Sequence, residues 1–543
     1  MNKLIQHLFY WFFLFIFTST SFAAEVPEGA KLAKNQQITF NNQAEPGSLD
    51  PTLIEDTYGA RVAIDCFEGL ITINDNGEPS EGVAKKWEMS KDGLTYTFYL
   101  RDDAKWSDGS PVTADNFVYS WQRAVDPQTA SPYSFYLEVA NIKNAKEIID
   151  GKLKSTDLGV KAKDAHTLEV SLVKPTPYFV GMLGQTVMFP LPKQVIEKWG
   201  DKWTDPKNIV SNGAYKLTNH VINEKIVTEK NKFYWDNKNT IITKVTYLVI
   251  NDRVADVNRY KSNGEDMTGW QLPGGDFFKS LQKEYGDQLK ITPFLTSEYA
   301  IFNVKKPPFN DVDVRQAISL VIDKEALSKF VMGGATKPLY NFAVEGTANF
   351  KSIKSPYQSM NPEQRKEKAL ELLKKAGYSQ DKPLKFSLLY PTSDERQKQM
   401  SAIAAMIQQA LPMVQVTITN QEFKTYLNTL DTGNWEMARQ GWVADFNDPM
   451  AFYGNLKTGG SQNSGGYSNK DFDQLIEKSF MEEDLTKRIV FFQKMQEILD
   501  KDYPAVTWFQ TSATTIVKPY VKGFPMNDAL NYIYSKNLYL IEY

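Results

Sequence analysis

The sequence predicts an α/β protein with more than one domain. Through the second half of the chain, helical and strand patterns alternate at the lengths typical of a sheet covered by helices. Strand and turn signals dominate the first half instead. About 520 residues remain after an apolar N-terminal segment, which is more than one hydrophobic core usually holds. We therefore expect two or three domains.

Residues 1–23 are expected to be a secretory signal peptide. Lys3 gives a basic start, residues 8–17 are almost entirely apolar, and residues 21–23 (Ser-Phe-Ala) fit a cleavage site. The apolar run is too short to cross a bilayer, which takes roughly 20 residues. An uncleaved anchor is the alternative. No cysteine follows the run, so we expect a free secreted protein and no lipid anchor.

Composition argues against several classes of protein. The formal net charge is −3 over 543 residues, and no basic stripe with interleaved aromatic residues stands out, so nucleic acid is not an expected partner. Past the N-terminal segment, the histidines and cysteines are limited to His166, His220 and Cys66. We therefore expect no metal, no cofactor and no intramolecular disulfide. Both histidines are expected in solvated turns, and Cys66 as a buried small apolar residue.

Alternating apolar residues predict two half-buried antiparallel strands in the first half. Their inward faces consist of Leu94, Tyr96, Phe98 and Leu100 in the first strand, and Leu168, Val170 and Leu172 in the second. Between these strands, residues 113–115 (Thr-Ala-Asp) have the composition of a helix start. The apolar stripe of that helix would consist of Phe117, Val118, Trp121 and Ala124.

The second half is predicted from helix caps and apolar periodicity. Its expected elements are, in order, a helix capped by Asn361 with Pro362 at its first position and Gly377 after its end, a strand over residues 384–389, a helix that begins at Ser393, a strand over 414–418 and a helix over 482–500.

The usual catalytic motifs are missing from the sequence. Residues 280–283 (Ser-Leu-Gln-Lys) and 457–459 (Lys-Thr-Gly) match two fragments of penicillin-binding serine enzymes, but the third fragment, Ser-Asp-Asn, is absent. Carboxylate pairs are too common among 65 acidic residues to single out a glycosidase site. We expect a protein that is not an enzyme, with a secreted hydrolase as the alternative class.

The segment that begins at Arg439 is the most suggestive of a binding site. Arg439, Trp442 and Asp445 lie close together there, beside Gly441. Residues 448–449 (Asp-Pro) have a structural explanation as the start of a helix. Asp445 does not need that role, so its carboxylate is a candidate for holding a ligand ammonium. A solvated loop is the alternative.

Several short segments follow one another in the order that they have in a known family. They are residues 47–51, 67–70, 82–84, 104–109, 117–123, 212–215, 308–312 and 441–447. Along essentially its whole mature length, the chain resembles the oligopeptide-binding proteins of bacterial ABC peptide importers, which are solute-binding proteins of family 5. Murein peptide-binding proteins are similar relatives.

The resemblance implies a two-lobed periplasmic binding protein type II fold of the large peptide-binding class, with an extra subdomain. Lobe I would consist of residues 24–68, 193–295 and 513–543. The subdomain, residues 69–192, would be inserted on the side of lobe I, and lobe II would span 296–512. A ligand would lie buried between lobes that close by a hinge motion.

The implied function is that of a periplasmic substrate-binding component of an ABC transporter. A monomer would capture short peptides between its lobes and deliver them to an inner-membrane permease complex. Relatives in the same fold carry murein peptides, dipeptides, haem or metal chelates, and these ligands are the alternatives. The resemblance does not specify the length or the side chains of the ligand.

The resemblance also assigns roles to particular residues. Asp445 matches the carboxylate that receives the peptide's N-terminal ammonium. The segments Glu55 to Thr57 and Gly441 to Val443, which includes Trp442, match two backbone stretches that bracket an extended peptide as neighbouring strands would. Arg439 matches an arginine of the cleft, and Tyr133 matches a tyrosine there.

At several cleft positions the chain departs from the relatives that it resembles. Arg396 replaces a histidine that meets ligand carboxylates, and Phe423 stands where they have a tryptophan. Leu430 replaces an arginine, Gly269 a tyrosine, and Met332 lies in a region where a lysine meets ligand carboxylates. The ammonium site is therefore expected to be retained, and the far end of the pocket remodelled around Arg396 and Phe423.

A further departure concerns a disulfide. Thr296 and Val443 take positions that form a disulfide in some relatives, which is consistent with the single cysteine of this chain.

Overall fold

The computed structural model describes residues 24, 26–460, 462–482 and 484–543, without the side chains of residues 394, 423 and 424. The predicted signal peptide therefore lies outside the described residues, and so does the side chain of Phe423. Within the described ranges, none of the helices combines the length and the apolar character needed to cross a membrane.

In the first part of the chain, short strands and helices are mixed. Their order is β1 (Gln37–Asn41), α1 (Thr57–Cys66), β2 (Ile71–Ile73), β3 (Pro79–Glu81), β4 (Ala84–Met89), β5 (Thr95–Leu100), α2 (Ala114–Val125), α3 (Ser134–Val139), α4 (Ala145–Ile149), β6 (Val160–Asp164), β7 (Thr167–Ser171), α5 (Phe179–Met182), α6 (Lys193–Trp199), β8 (Tyr215–Val221), β9 (Lys225–Lys230), β10 (Lys244–Leu248), α7 (Arg253–Lys261), α8 (Gly275–Tyr285) and β11 (Leu289–Thr292).

The second part contains longer helices between its strands. The order is β12 (Thr296–Phe302), α9 (Val312–Leu320), α10 (Lys324–Ala326), β13 (Thr336–Pro338), α11 (Pro362–Lys375), β14 (Leu384–Pro391), α12 (Asp394–Ala410), β15 (Val414–Gln421), α13 (Phe423–Thr432), β16 (Met437–Val443), α14 (Met450–Tyr453), α15 (Lys470–Met481), α16 (Leu485–Asp502), β17 (Ala505–Thr511), β18 (Ala513–Ile516), β19 (Val521–Lys522) and β20 (Tyr539–Leu540).

Most of these strands lie in three sheets, and the other six form three two-stranded pairs. One sheet has the order β1-β10-β9-β8, a second has the order β4-β5-β7-β6, and a six-stranded sheet has the order β13-β17-β12-β16-β14-β15. In the six-stranded sheet, β14 runs parallel to β15 and β16, whereas β12 is antiparallel to β16 and β17. Thr296 lies opposite Val443 in the pairing of β12 with β16.

Two neighbouring segments connect the six-stranded sheet to the first part of the chain. The chain passes from β11 into β12 and returns from β17 into β18. Strands β11 and β18 pair with each other, with Leu289 opposite Ile516 and Thr292 opposite Ala513. A paired two-strand connection of this kind is a natural position for a hinge. The division into lobes at residues 295 and 512 stays a prediction.

Helix α2 shows how a predicted element is fixed in place. The side chain of Asn116 accepts a hydrogen bond from the backbone N–H of Thr113 at 2.8 Å, which caps the first turn. Phe117 and Trp121 are fully buried. The Trp121 indole donates to the carbonyl of Met188 at 2.9 Å, so its polar atom is satisfied inside the core. The predicted helix is confirmed.

The helix expected after Asn361 is also confirmed. Asn361 and Gln364 exchange hydrogen bonds between side chain and backbone N–H, each at 2.9 Å, and Pro362 occupies the first position of α11. Gly377 follows the end of the helix with a φ of 87°, which a residue with a Cβ rarely adopts. The strands predicted over 384–389 and 414–418 lie within β14 and β15.

The late helix differs from its prediction at both ends. It was expected over residues 482–500, but α16 begins at Leu485 and ends at Asp502. The carboxylate of Asp484 accepts hydrogen bonds from two backbone N–H groups of the first turn and sets the start of the helix. Arg488 is buried on α16 and pairs with the buried carboxylate of Asp448.

The environment predicted for one of the two histidines is wrong. His166 lies in the turn between β6 and β7 with 39% of its side chain exposed, as expected. His220 lies instead in β8, and its Nε2 is 2.6 Å from the Glu45 carboxylate. That partner is distant in the sequence, so no local pattern predicted it. Cys66 is buried, as predicted.

Candidate functional site

A cavity of about 440 Å³ lies between the first part of the chain and the end of β16. Most of its wall comes from segments that are distant in the sequence. These are Asn41 and Asn42 at the end of β1, residues 54–57 with Ala60, Arg61 and Ile64 of α1, Tyr133 and Gln185, Trp270, Gly441 to Asp445, and residues 530–533.

The end of β16 presents a strand edge to this cavity. Strand β14 pairs with β16 only at Met437 and Ala438, although β12 continues alongside as far as Val443. On the side of β14, no strand of the described chain pairs with residues 439–443. Tyr426 donates to the carbonyl of Arg439. The backbone from Gly441 to Val443 therefore remains available to an added strand.

The segment Glu55 to Thr57 leads into α1, and the side chain of Asp56 fixes it in place. The backbone of Asp56 is extended, with a φ of −125° and a ψ of 156°. Its carboxylate caps α1 by accepting from the N–H of Gly59 at 2.7 Å and also accepts from the N–H of Gly47 at 3.0 Å. This segment and the end of β16 both line the cavity, as the bracketing roles predicted for them require.

Asp445 lines the cavity with one carboxylate oxygen already engaged. Tyr133 Oη donates to Oδ1 at 3.0 Å, and Gln185 Nε2 donates to the same oxygen at 3.2 Å. No donor from the rest of the described chain reaches Oδ2. Burial raises the pKa of Asp445 to about 6, and the two hydrogen bonds oppose that rise only in part. At neutral pH this carboxylate is ionised and ready to accept a cation.

Tyr133 is a neutral donor in this arrangement. Burial, followed by the charge of Asp445, raises the pKa of Tyr133 far above its ordinary value. Its ring packs against Phe135 and Tyr136, with centroid distances of 5.3 and 6.1 Å. The hydroxyl therefore keeps its proton and its orientation toward Asp445.

The two candidate arginines lie apart from the wall of this cavity. Arg439 forms an ion pair with Glu298, and the two side chains are only 12% and 13% exposed. Arg396 is close enough for the charge of Arg439 to lower its pKa, after the larger effect of burial. Within the described chain, the guanidinium of Arg396 donates to no acceptor. The cluster thus holds two guanidinium groups around the Glu298 carboxylate.

The other departures are placed as follows. Leu430 and Met332 are buried. A Cβ on Gly269 would lie 2.4 Å from the side chain of Gln43, so the tyrosine of the relatives could not be placed there without a shift of Gln43. Phe423 begins α13, and its side chain lies outside the described residues.

Sequence reasoning missed several residues of the cavity wall. Gln185, Trp270, Tyr532 and Arg61 all line the cavity. For Arg61 a signal existed, because it follows Thr57 by four positions on α1 and therefore shares a helix face with it. The other three lie in connecting segments, and no periodic pattern marks them.

A second cavity, of about 650 Å³, lies on the other side of Trp442 and Asp445, which line both cavities. Phe135 and Tyr136 contribute to its wall from one part of the chain, and Phe480 from another. The Trp442 indole N–H has no acceptor within the described chain. This indole nitrogen is therefore buried without a partner at the boundary between the two cavities.

The site as a whole offers a carboxylate, neutral donors and an open strand edge. Together these groups suit the binding of an extended chain with a cationic end. In the part of the chain that the structure describes, His, Cys, Asp and Glu side chains form no cluster of three or more that could hold a metal ion.

Curated relatives match this chain over nearly its whole length. The periplasmic oligopeptide-binding protein OppA of Salmonella typhimurium is 44% identical over 528 residues, which is 97% of each chain. The periplasmic murein peptide-binding protein MppA of Escherichia coli is 40% identical over 525 residues, again 97% of each chain. Both names are those of substrate-binding proteins.

Solved structures and a family model agree with these relatives. The structure of Haemophilus influenzae OppA in complex with the peptide RPPGFSPFR matches with a TM-score of 0.84 at 40% identity, covering 94% of this chain and 100% of that chain. This match confirms the predicted α/β fold of the periplasmic binding protein type. The model of the bacterial extracellular solute-binding proteins, family 5, matches residues 78–464. The chain therefore belongs to the family 5 bacterial extracellular solute-binding proteins.

Proposed function

We propose that this protein is a periplasmic substrate-binding component of an ABC transporter that captures short peptides and delivers them to an inner-membrane permease. One observation carries the proposal. The Asp445 carboxylate, with one oxygen open, lies at the end of the unpaired edge of β16 inside the 440 Å³ cavity. A peptide with a free N-terminus has both groups that this arrangement needs, an ammonium and an extended backbone.

The ammonium would bind Asp445 in surroundings of low polarity. A charge pair is stronger there than in water, provided that hydrogen bonds satisfy the remaining atoms. Tyr133 and Gln185 supply those bonds to Oδ1 and leave Oδ2 for the ligand. The anchor therefore recognises the chain end, a group that every unblocked peptide shares.

The peptide backbone would lie between the two segments that line the cavity, Glu55 to Thr57 and Gly441 to Val443. Main-chain hydrogen bonds provide affinity without reading side chains. This mode of binding would accept peptides of many sequences. Lobes divided as the sequence predicts would close over the peptide around the connections at β11 and β18, and residues 1–23 would direct export to the periplasm.

Native mass spectrometry of the protein purified from periplasm tests the ligand class, because bound peptides would add their masses to that of the protein. Calorimetry should then show that trialanine binds far more tightly than N-acetyl-trialanine. Small-angle scattering should show a smaller radius of gyration with trialanine than without. Equal affinity for the free and the acetylated peptide would contradict the anchor, and the absence of any bound peptide would contradict the ligand class.

A further inference from the structure

Arg61 places a positive charge on the wall of the 440 Å³ cavity. Thr57, Arg61 and Ile64 recur on α1 at three- to four-residue spacing, so they share a helix face, and all of them line the cavity. The guanidinium carbon of Arg61 lies 4.7 Å from the centre of the Phe40 ring. Contact with an aromatic ring stabilises a guanidinium without using any of its N–H groups.

This guanidinium forms no ion pair within the described chain. None of its N–H groups donates a hydrogen bond there, and its Nε is buried without an acceptor. Asp65 is the acid whose charge acts on it most strongly. The Asp65 carboxylate is engaged elsewhere, since it accepts from Tyr247 Oη at 2.5 Å and from Ser535 Oγ at 2.5 Å.

The other charged residues of the cavity wall are acidic. They are Glu55, Asp56 and Asp445, so Arg61 is the one cation among the described residues that line the cavity. The carboxylate of a ligand would be repelled near these three acids and attracted to Arg61. A guanidinium removed from water is costly without an anion, and a carboxylate can accept two of its N–H groups at once.

We propose that Arg61 is a specificity-determining residue that gives the cleft a preference for peptides with an acidic side chain at one position. The inference rests on the proposed function, because a peptide held at Asp445 would carry its side chains past α1. A carboxylate of glutamate or aspartate would complete the hydrogen bonding of Arg61, and the amide of glutamine would do so without the charge.

Calorimetry with alanine pentapeptides tests this preference. Each of the three central positions is replaced in turn by Glu or by Gln, so each pair of peptides differs only in charge. At one position, the wild-type protein should bind the Glu peptide about 10-fold to 100-fold more tightly than the Gln peptide, since hydrogen bonds between charged groups contribute more than neutral ones. At the other two positions the Glu peptide should bind as tightly as the Gln peptide, or less tightly.

Two variants locate the effect. Arg61→Met should abolish the difference between Glu and Gln, whereas Arg259→Met, at an exposed arginine outside the cavity wall, should retain it. Equal affinity for Glu and Gln at every position of the wild type would overturn the inference and leave the proposed function intact, even if Arg61→Met did not fold. Retention of the difference in Arg61→Met would also overturn it. If no alanine pentapeptide binds, the proposed function fails and the inference fails with it.

Discussion

Tyr133 and Asp445 are joined by a 3.0 Å hydrogen bond although they are 312 positions apart in the sequence. Tyr133 precedes α3 in the first part of the chain, and Asp445 follows the last strand residue of β16. The bond therefore links two parts of the protein at the wall of the cavity. It also orients the carboxylate to which we assign the ligand's ammonium.

The first prediction concerns this carboxylate. Asp445→Ala should weaken the binding of trialanine by about 3–5 kcal/mol, because a buried ammonium would lose its counter-charge. Tyr133→Phe is the matched control, since it removes one hydrogen bond and keeps the carboxylate. It should cost about 1 kcal/mol. Calorimetry on both variants measures the difference, and equal losses would show that Asp445 is not the anchor.

The affinity should depend on pH in a defined direction. Burial raises the pKa of Asp445 to about 6, and only the ionised carboxylate attracts an ammonium. As pH falls through about 6, Asp445 gains a proton and affinity is lost. A single group with this pKa predicts roughly a tenfold rise in affinity from pH 5 to pH 7, where the ligand's amino group, with a pKa of about 8, stays protonated.

Calorimetry with trialanine at pH 5, 6 and 7 measures this rise. Binding should also release a proton at pH 5 to 6, which appears as a dependence of the heat on the buffer. Asp445→Asn should lose both effects. A wild-type affinity that stays constant over this range would contradict the raised pKa of Asp445.

The ion pair between Arg439 and Glu298 should matter for stability. Arg439→Met leaves the mostly buried carboxylate of Glu298 without its partner and should lower the free energy of unfolding by about 3–5 kcal/mol. In the double variant with Glu298→Gln, the unpaired carboxylate charge is removed, so part of the loss should be recovered, while the nearby guanidinium of Arg396 loses the attraction of Glu298. Thermal unfolding of the two single variants and the double variant gives the coupling. Additive losses would show that the two residues act independently.

A buried pair of acids should make stability depend on pH. Glu265 and Asp256 are 3% and 0% exposed, and burial followed by the charge of Asp256 raises the pKa of Glu265 to about 10. Burial likewise raises the pKa of Asp256, which accepts from the N–H of Gly269. The charges of Arg259 and Asp266 act on Glu265 in opposite directions.

The folded protein therefore keeps a proton on Glu265 that the unfolded chain loses above about pH 4.3. The stability from this group is fully present below that pH and is lost as pH rises toward 10. Glu265→Gln cannot ionise, so it should gain about 1–3 kcal/mol relative to wild type between pH 5 and pH 9. Thermal unfolding measures the gain. Glu367→Gln, at an exposed position, should show no gain in stability. A gain of Glu265→Gln that does not change with pH would contradict the raised pKa of Glu265.

Much of the fold was predictable because its signals are local. The cap formed by Asn361, the left-handed Gly377 and the alternating residues from Leu94 to Leu100 act over a few positions, and the structure contains the elements that they predict. The family resemblance was also readable from short segments in order. Asp445 could be singled out because its neighbours left it without a structural role.

The tertiary structure decided the features that depend on distant partners. His220 contacts Glu45 across 175 positions of the sequence, and Arg439 contacts Glu298 across 141. Arg488 contacts Asp448 across 40 positions. A charge in the sequence has no visible partner until the chain folds, because electrostatic contact depends on distance in space. The sequence alone therefore determined the helices, the strands and the family, whereas only folding decided that Arg439 is paired and that Arg61 lines the cavity without forming an ion pair in the described chain.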